Sequence, residues 1–193
     1  MVRVSVSLYN NLLEEAFEGF LKTLKEIKVV PTPDEGEIFL FDKSGIINFD
    51  LRALSERGVK HLLVDTGIGE EELLFLVINF PISGVISPDT TKELLLKCFN
   101  AVLRGEKWFK RELLNLISGS KGSLKIDSLS DRELKVLSLL VEGKTNKEIA
   151  RELGISEQTV KYYINQLLKK ANCSNRVNLV SLFSRIIHYV NCR

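Results

Sequence analysis

Hydrophobic and polar positions alternate in two different rhythms along the chain, and the change of rhythm divides it. In the first part, short apolar runs are interleaved with helical stretches. Residues 3–8 form a β-like run, and Asn10 or Asn11 can cap a helix in which Leu13, Phe17, Phe20, Leu21 and Leu24 share a face. Residues 27–30 and 38–41 read as buried strands joined only by a Pro-Thr-Pro-Asp-Glu-Gly turn. Asp50 opens a helix that ends near Gly58, followed by a strand at 61–64, a helix at 70–80 and a fifth strand at 84–86. Thr90 or Thr91 caps a long helix with Leu94, Leu95, Cys98, Phe99 and Val102 turned inward, and the segment around Trp108 leads to a short helix through Ile117. Strands interleaved with helices predict a doubly wound parallel five-stranded α/β sheet covered on both faces. The stretch 118–128 is rich in Gly, Ser and Lys without apolar periodicity, which predicts a linker between domains at 1–117 and 129–193.

From residue 129 the rhythm is helical throughout. Ser130 stands three residues before Glu133, and Thr145 three before Glu148, so two capping boxes follow one another. Gly143 and Gly154 stand where the first two helices must end, and Ile155-Ser156 opens a third. Helix, tight turn with Gly, and helix is the helix-turn-helix arrangement. At about 100° per residue, Val160, Ile164, Leu167, Leu168 and Ala171 of the third helix fall on one side. Gln158, Lys161, Tyr162, Asn165 and Lys169 collect on the other. Amides can bond adenine bidentately, lysine reaches guanine acceptors, and a tyrosine ring can lie against a thymine methyl or bond a phosphate. A solvated polar face would look the same in isolation; the preceding capped helix and the glycine turn favour DNA.

Charge follows the same division. Residues 129–193 carry a net +5 and residues 1–128 a net −3, an asymmetry that the overall +2 conceals. A basic C-terminal module suits attraction to phosphates at one end of the chain. No apolar run approaches the ~18 residues of a membrane span, and no signal pattern opens the chain, so a cytoplasmic protein with no membrane partner is expected. Cys98, Cys173 and Cys192 are too few and too scattered for a metal site or a disulfide framework, and His61 and His188 read as ordinary packing or surface residues. No phosphate-binding loop, nucleophile elbow or ligand cluster is present; no catalytic residue, metal or cofactor is expected, and the chain reads as a non-enzyme.

The C-terminal pieces together resemble the helix-turn-helix domain of LuxR/NarL-type transcriptional regulators over residues 129–183. They are the Leu129-Ser130-x-x-Glu133-x-x-Val136-Leu137 opening, Gly143, Thr145-Asn146-Lys147-Glu148-Ile149-Ala150, Leu153-Gly154-Ile155-Ser156, Thr159-Val160-Lys161 and Asn175-Arg176. The resemblance implies base reading by Lys161, Tyr162 and Asn165 and phosphate contacts around Thr145, Asn146, Thr159 and Lys169. It also implies double-stranded DNA as partner and a homodimer formed through the last helix, where Val177, Val180, Phe183, Ile187 and Val190 offer apolar surface. RNA polymerase or another regulatory protein is a further implied partner.

The first 117 residues resemble the receiver domain of response regulators, through Ile38-Phe39-Leu40-Phe41-Asp42, Gly84-Val85-Ile86-Ser87 and the segment 94–108. The second helix of that fold is reduced to the turn at 31–36, which predicts a sheet face left uncovered. The resemblance implies an acidic pair for magnesium after the first strand and a lysine after the fifth. Here those places read Leu8-Tyr9 (or Tyr9-Asn10) and Pro88. Thr66 or Asp65 takes the place after the fourth strand, and Asp42 alone keeps the place of the phosphate acceptor. A degenerate receiver that works by dimerisation or by binding a partner or ligand is expected, with Asp42 a turn residue accepting backbone N–H bonds. The alternative is a conventional two-component regulator phosphorylated on Asp42. A sigma-factor-like module is disfavoured by the α/β character of the first part.

Overall fold

A computed structural model of the chain describes residues 1–119 and 125–184. The chain divides into two compact units, Met1–Leu116 and Ile117–Arg193. Of the expected linker, residues 120–124 lie outside the described residues, while Ile126–Ser128 form a 3-10 turn with Ile126 buried.

The first unit is built on β1 (Val2–Ser7), α1 (Asn11–Lys22), β2 (Ile27–Val29), β3 (Ile38–Phe41), α2 (Gly45–Asn48), α3 (Leu51–Glu56), β4 (Lys60–Val64), α4 (Glu70–Asn79), β5 (Ile82–Ile86), α5 (Lys92–Leu103) and the first part of α6 (Arg111–Gly119). All strand pairs are parallel, in the order β2-β1-β3-β4-β5. Alternation sends Val4, Val6, Ile38, Leu40, Leu62 and Ile86 to one face, where Leu21, Leu24, Leu95, Cys98, Phe99 and Val102 of α1, the turn after it and α5 close the core. On the other face Phe39 stacks on Phe41 with centroids 5.0 Å apart and meets the edge of Phe49 at 4.9 Å. His61 is fully buried there; its Nδ1 lies 3.0 Å from the Pro81 carbonyl oxygen and its Nε2 has no hydrogen-bond partner. Burial, aided by the charges of Lys107 and Lys60, pushes its pKa down despite the Pro81 bond, so the imidazole is held neutral.

Helix starts follow the side chains expected of them. Asn10 Oδ1 accepts from Leu13 N, Asp50 Oδ1 from Arg52 N and Ala53 N, and Thr91 Oγ1 from Leu94 N. The structure differs from expectation at three side chains on the apolar faces: Leu13, Phe20 and Leu94 are 41%, 38% and 42% exposed. Each stands at the rim of its stripe, bordering solvent.

The reduced second helix does not leave bare sheet. Between β2 and β3 the chain makes a single 3-10 turn, Pro33–Glu35, with Pro33 buried. Ser5 beneath it is 1% exposed, and a methyl group at Gly36 would lie 3.3 Å from the Ser5 hydroxyl. A serine in place of a large side chain lets a bare turn do the covering, at the cost of one buried hydroxyl without a partner.

After α5 the chain returns to the sheet. Trp108 N donates to Ser83 O and Val85 N to Trp108 O, both at 2.9 Å, so Trp108 bridges in parallel to Gly84 at the free side of β5. Gly84 is required by this approach, since a Cβ there would lie 2.8 Å from both Cβ and O of Trp108. The second unit packs α7 (Asp131–Val141), α8 (Asn146–Leu153), α9 (Glu157–Lys170) and α10 (Arg176–Ser184) around Val136, Leu137, Leu140, Ile149, Val160, Leu167, Leu179 and Phe183, all fully buried.

Candidate nucleic-acid interface

Helix α7 begins with a complete capping box: Glu133 N donates to Ser130 Oγ, and Ser130 N donates back to the Glu133 carboxylate at 2.8 Å. That carboxylate is buried, and Lys170, at the end of α9, donates to it at 2.8 Å and to the Ser128 carbonyl at 2.8 Å. Burial alone would raise the Glu133 pKa; the Lys170 ammonium and the Ser130 N–H and hydroxyl outweigh it and hold the carboxyl below its ordinary range. The last turn of α9 is thereby tied to the start of α7.

The second capping box repeats the pattern at α8, with Thr145 Oγ1 accepting from Glu148 N and donating to the Glu148 carboxylate. Gly143 and Gly154 close α7 and α8 at φ of 85° and 63°, backbone that a side chain would strain. Ser156 then caps α9 through Thr159 N at 3.0 Å, and its hydroxyl lies 2.8 Å from that of Thr159.

The two faces of α9 separate as the sequence predicts. Val160, Ile164 and Leu167 are buried, while Leu168 and Ala171, expected on the same face, are only half-buried; Gln158, Lys161, Tyr162, Asn165 and Lys169 are exposed, and Thr159 is half-buried. Tyr162 is 58% exposed, with its ring edge-on to Tyr163 at 5.6 Å, so an aromatic side chain stands out from the helix. Two neighbouring lysines have opposite fates: Lys169 faces solvent while Lys170 is consumed by Glu133 and Ser128. Asn146, half-buried at the start of α8, is held by Arg176, whose guanidinium donates to Asn146 Oδ1 at 3.0 Å and also to the Lys144 carbonyl. Neither the Lys170 clamp nor the Arg176 clamp was visible in the sequence.

The expected dimer surface needs correction at one residue. Phe183 is fully buried, inside its own module, where it packs with Leu179 against the other helices. Its place in the sequence pattern could not separate inner from outer faces of a short helix whose apolar and polar residues are spread around it without a distinct stripe. Val177 is 74% exposed and Val180 half-buried; Ile187, Val190, His188 and Cys192 lie outside the described residues.

At the carboxyl ends of the strands, Asp42 is 6% exposed and its carboxylate is already shared. Oδ2 accepts from Tyr9 N at 3.0 Å, while Oδ1 accepts from Ser44 N at 3.0 Å and Ser44 Oγ at 2.5 Å. Asp65 accepts from Gly67 N and Ile68 N, and Glu14, a carboxylate that no sequence motif singles out, accepts from Leu8 N at 2.5 Å. Tyr9 points away, 85% exposed, and Pro88 is exposed as well. A receiver's divalent cation does not fit this set: each nearby carboxylate is turned to backbone N–H groups, and no three His, Cys, Asp or Glu side chains converge among the described residues. Between α1 and α5 at the same end lies an open, mainly apolar cavity of about 610 Å³, lined by Leu13, Phe17, Phe20, Leu95 and the strand ends at Val64 and Ile86.

Residues 127–183 match the family described as "Bacterial regulatory proteins, luxR family". Among curated proteins, the chain is 33% identical over 135 residues to the nitrate/nitrite response regulator protein homolog of Haemophilus influenzae, a match covering 69% of this chain and 65% of that protein. It thus spans less than two thirds of that relative. It is 25% identical over 212 aligned positions to the transcriptional regulatory protein LiaR of Bacillus subtilis, covering 99% of this chain and all of LiaR. A solved structure of two RcsB dimers bound to two parallel DNAs shares the fold, with a TM-score of 0.57, 17% identity and coverage of 96% of this chain and 98% of that one. The helical module of this chain therefore belongs to the luxR family of bacterial regulatory proteins, and its two units have the folds of a response regulator's receiver and helix-turn-helix domains.

Proposed function

We propose that the protein is a sequence-specific DNA-binding transcription regulator whose receiver-like domain works without phosphorylation, through pairing with itself or through a partner or ligand. The observation that carries the DNA reading is the division of α9, with its apolar residues seated on α7 and α8 and its amide, lysine and tyrosine side chains exposed. A helix docked in this way is the element that enters the major groove in helix-turn-helix proteins. The curated relatives are named as regulators, and the RcsB structure holds DNA, which agrees with this reading.

In this reading Lys161, Tyr162 and Asn165 read bases, with Gln158 beside them, while Asn146, Thr159 and Lys169 meet phosphates. Thr145 contributes its cap, since its hydroxyl proton is given to Glu148. A homodimer using Val177 and Val180 would place two modules on half-sites about one helical turn apart. Contact with RNA polymerase or another regulatory protein belongs to the same proposal. Selection of bound sequences from random DNA supplies the target, and titration then tests the face. Lys161→Ala or Asn165→Ala is expected to weaken specific binding by about 1–3 kcal/mol, whereas Lys169→Ala weakens binding to all sequences evenly. Unchanged affinity and preference in Lys161→Ala would remove this placement of the reading face.

Independence from phosphorylation is supported by the occupied oxygens of Asp42 and by the unsuitable cation site. The apolar cavity between α1 and α5 gives the domain another way to receive a signal. Incubation with acetyl phosphate and magnesium should add no phosphoryl mass, and Asp42→Asn should bind DNA as the parent does. A mass gain that Asp42→Asn abolishes, with tighter DNA binding, would establish the conventional response-regulator mechanism instead.

A further inference from the structure

The pair at the start of α8 contains two expected phosphate contacts, and the structure separates them. Thr145 donates its only hydroxyl proton to Glu148. Asn146 is engaged at one atom only, the Oδ1 that accepts from Arg176 at 3.0 Å. A guanidinium is all donor, so the Asn146 atom facing it must be the carbonyl oxygen; the amide cannot flip without setting N–H against N–H. The same guanidinium donates to the carbonyl of Lys144, which fixes its plane with two oxygens at once. The consequence is that the Asn146 Nδ2 group, with its two donors, is turned away from Arg176 and has no protein partner among the described residues.

We propose that Arg176 is a positioning residue for DNA binding: by holding the Asn146 carbonyl oxygen, it presents the Asn146 amide N–H donors to a backbone phosphate. This rests on the DNA-binding reading above. In this proposal Arg176 does not itself touch the nucleic acid: each of its two terminal nitrogens donates inward, one to Asn146 and the other to the Lys144 carbonyl. Its charge is spent on orientation, and the contact it prepares is a neutral one.

The test uses the full chain and its selected DNA, with binding followed by fluorescence anisotropy over a range of salt concentrations and folding by thermal unfolding. Asn146→Asp keeps the oxygen that Arg176 needs but replaces both donors with a charged acceptor. It is expected to stay folded and to bind every sequence about 10-fold or more weakly, with their ranking intact. Arg176→Ala and Asn146→Ala should each weaken binding, and the double variant should be no weaker than the worse single one. Because the contact is neutral, Arg176→Ala should leave the slope of log affinity against log salt unchanged. A slope smaller by about one would make Arg176 a direct phosphate contact and overturn the proposal. Additive losses in the double variant, or parental binding by Asn146→Asp, would overturn it too. Arg176→Lys, whose single ammonium cannot serve both oxygens in one plane, should resemble Arg176→Ala; full rescue by lysine would overturn the orienting role by showing that charge alone suffices. A parent protein that binds no DNA would sink the functional reading itself, a result distinguishable from all of these.

Discussion

Phe183→Ala is expected to destabilise the helical module by about 3–5 kcal/mol, the usual loss for emptying a fully buried aromatic site. The side chain has no solvent exposure, and neither have Leu179 beside it nor Val136, Leu137, Leu140 and Leu167 of the same core. Those neighbours are held by capped helices that cannot collapse freely into the gap. Val177→Ala, elsewhere on the surface of α10, should change monomer stability by no more than about 0.5 kcal/mol, because Val177 is already 74% exposed. The two substitutions separate folding from assembly: Val177→Glu is the variant to examine for loss of dimer, whereas Phe183→Glu would simply unfold the module. The measurement is convenient because Trp108, the only tryptophan, lies in the first unit. Its fluorescence follows the sheet domain while circular dichroism also follows the helical one. A Phe183→Ala variant whose helices melt with the parent's would show that α10 does not dock as described.

Gly84→Ala is expected to cost the sheet domain about 3 kcal/mol, from overpacking together with the strain or loss of two backbone hydrogen bonds. The added methyl would lie 2.8 Å from Trp108 Cβ and O and 2.9 Å from Leu62 Cδ2. Leu62 could turn aside, but the Trp108 backbone is fixed by its bonds to Ser83 and Val85. Relief requires the segment to lift from β5, which would also change the environment of the indole. The expected result is a lower denaturation midpoint with shifted tryptophan emission. Parental stability with unaltered emission would mean that the bridge is dispensable.

Local chemistry made much of this architecture legible. The capping boxes at Ser130 and Thr145, the single caps at Asp50 and Thr91, and the left-handed glycines all act over three or four residues, so sequence spacing reveals them. The α9 face was legible for the same reason, as a period carried by one helix. What escaped was long-range. Lys170 meets Glu133 across 37 residues and Arg176 meets Asn146 across 30, and nothing near either residue announces its partner. Burial of Phe183 depends on which side of a helix without a distinct apolar stripe faces the bundle, a tertiary fact. The covered sheet face at Ser5 escaped too, because the pattern shows that a helix is missing but not that a proline turn supplies the cover in its place.

The return of the chain at Trp108 bears on how this domain can meet other molecules. An open parallel sheet has two outer strands whose free N–H and C=O groups can recruit a strand from another chain. Here β5 has its central residues bonded by the protein's own backbone at Trp108. At the opposite border β2 is only three residues long and carries the exposed Lys28 in its middle. Neither border offers a long, flat, unpaired template. Strand addition, and the fibrous self-association that begins with it, is therefore disfavoured, which leaves helix faces and strand-end loops as the ground on which partners must be recognised.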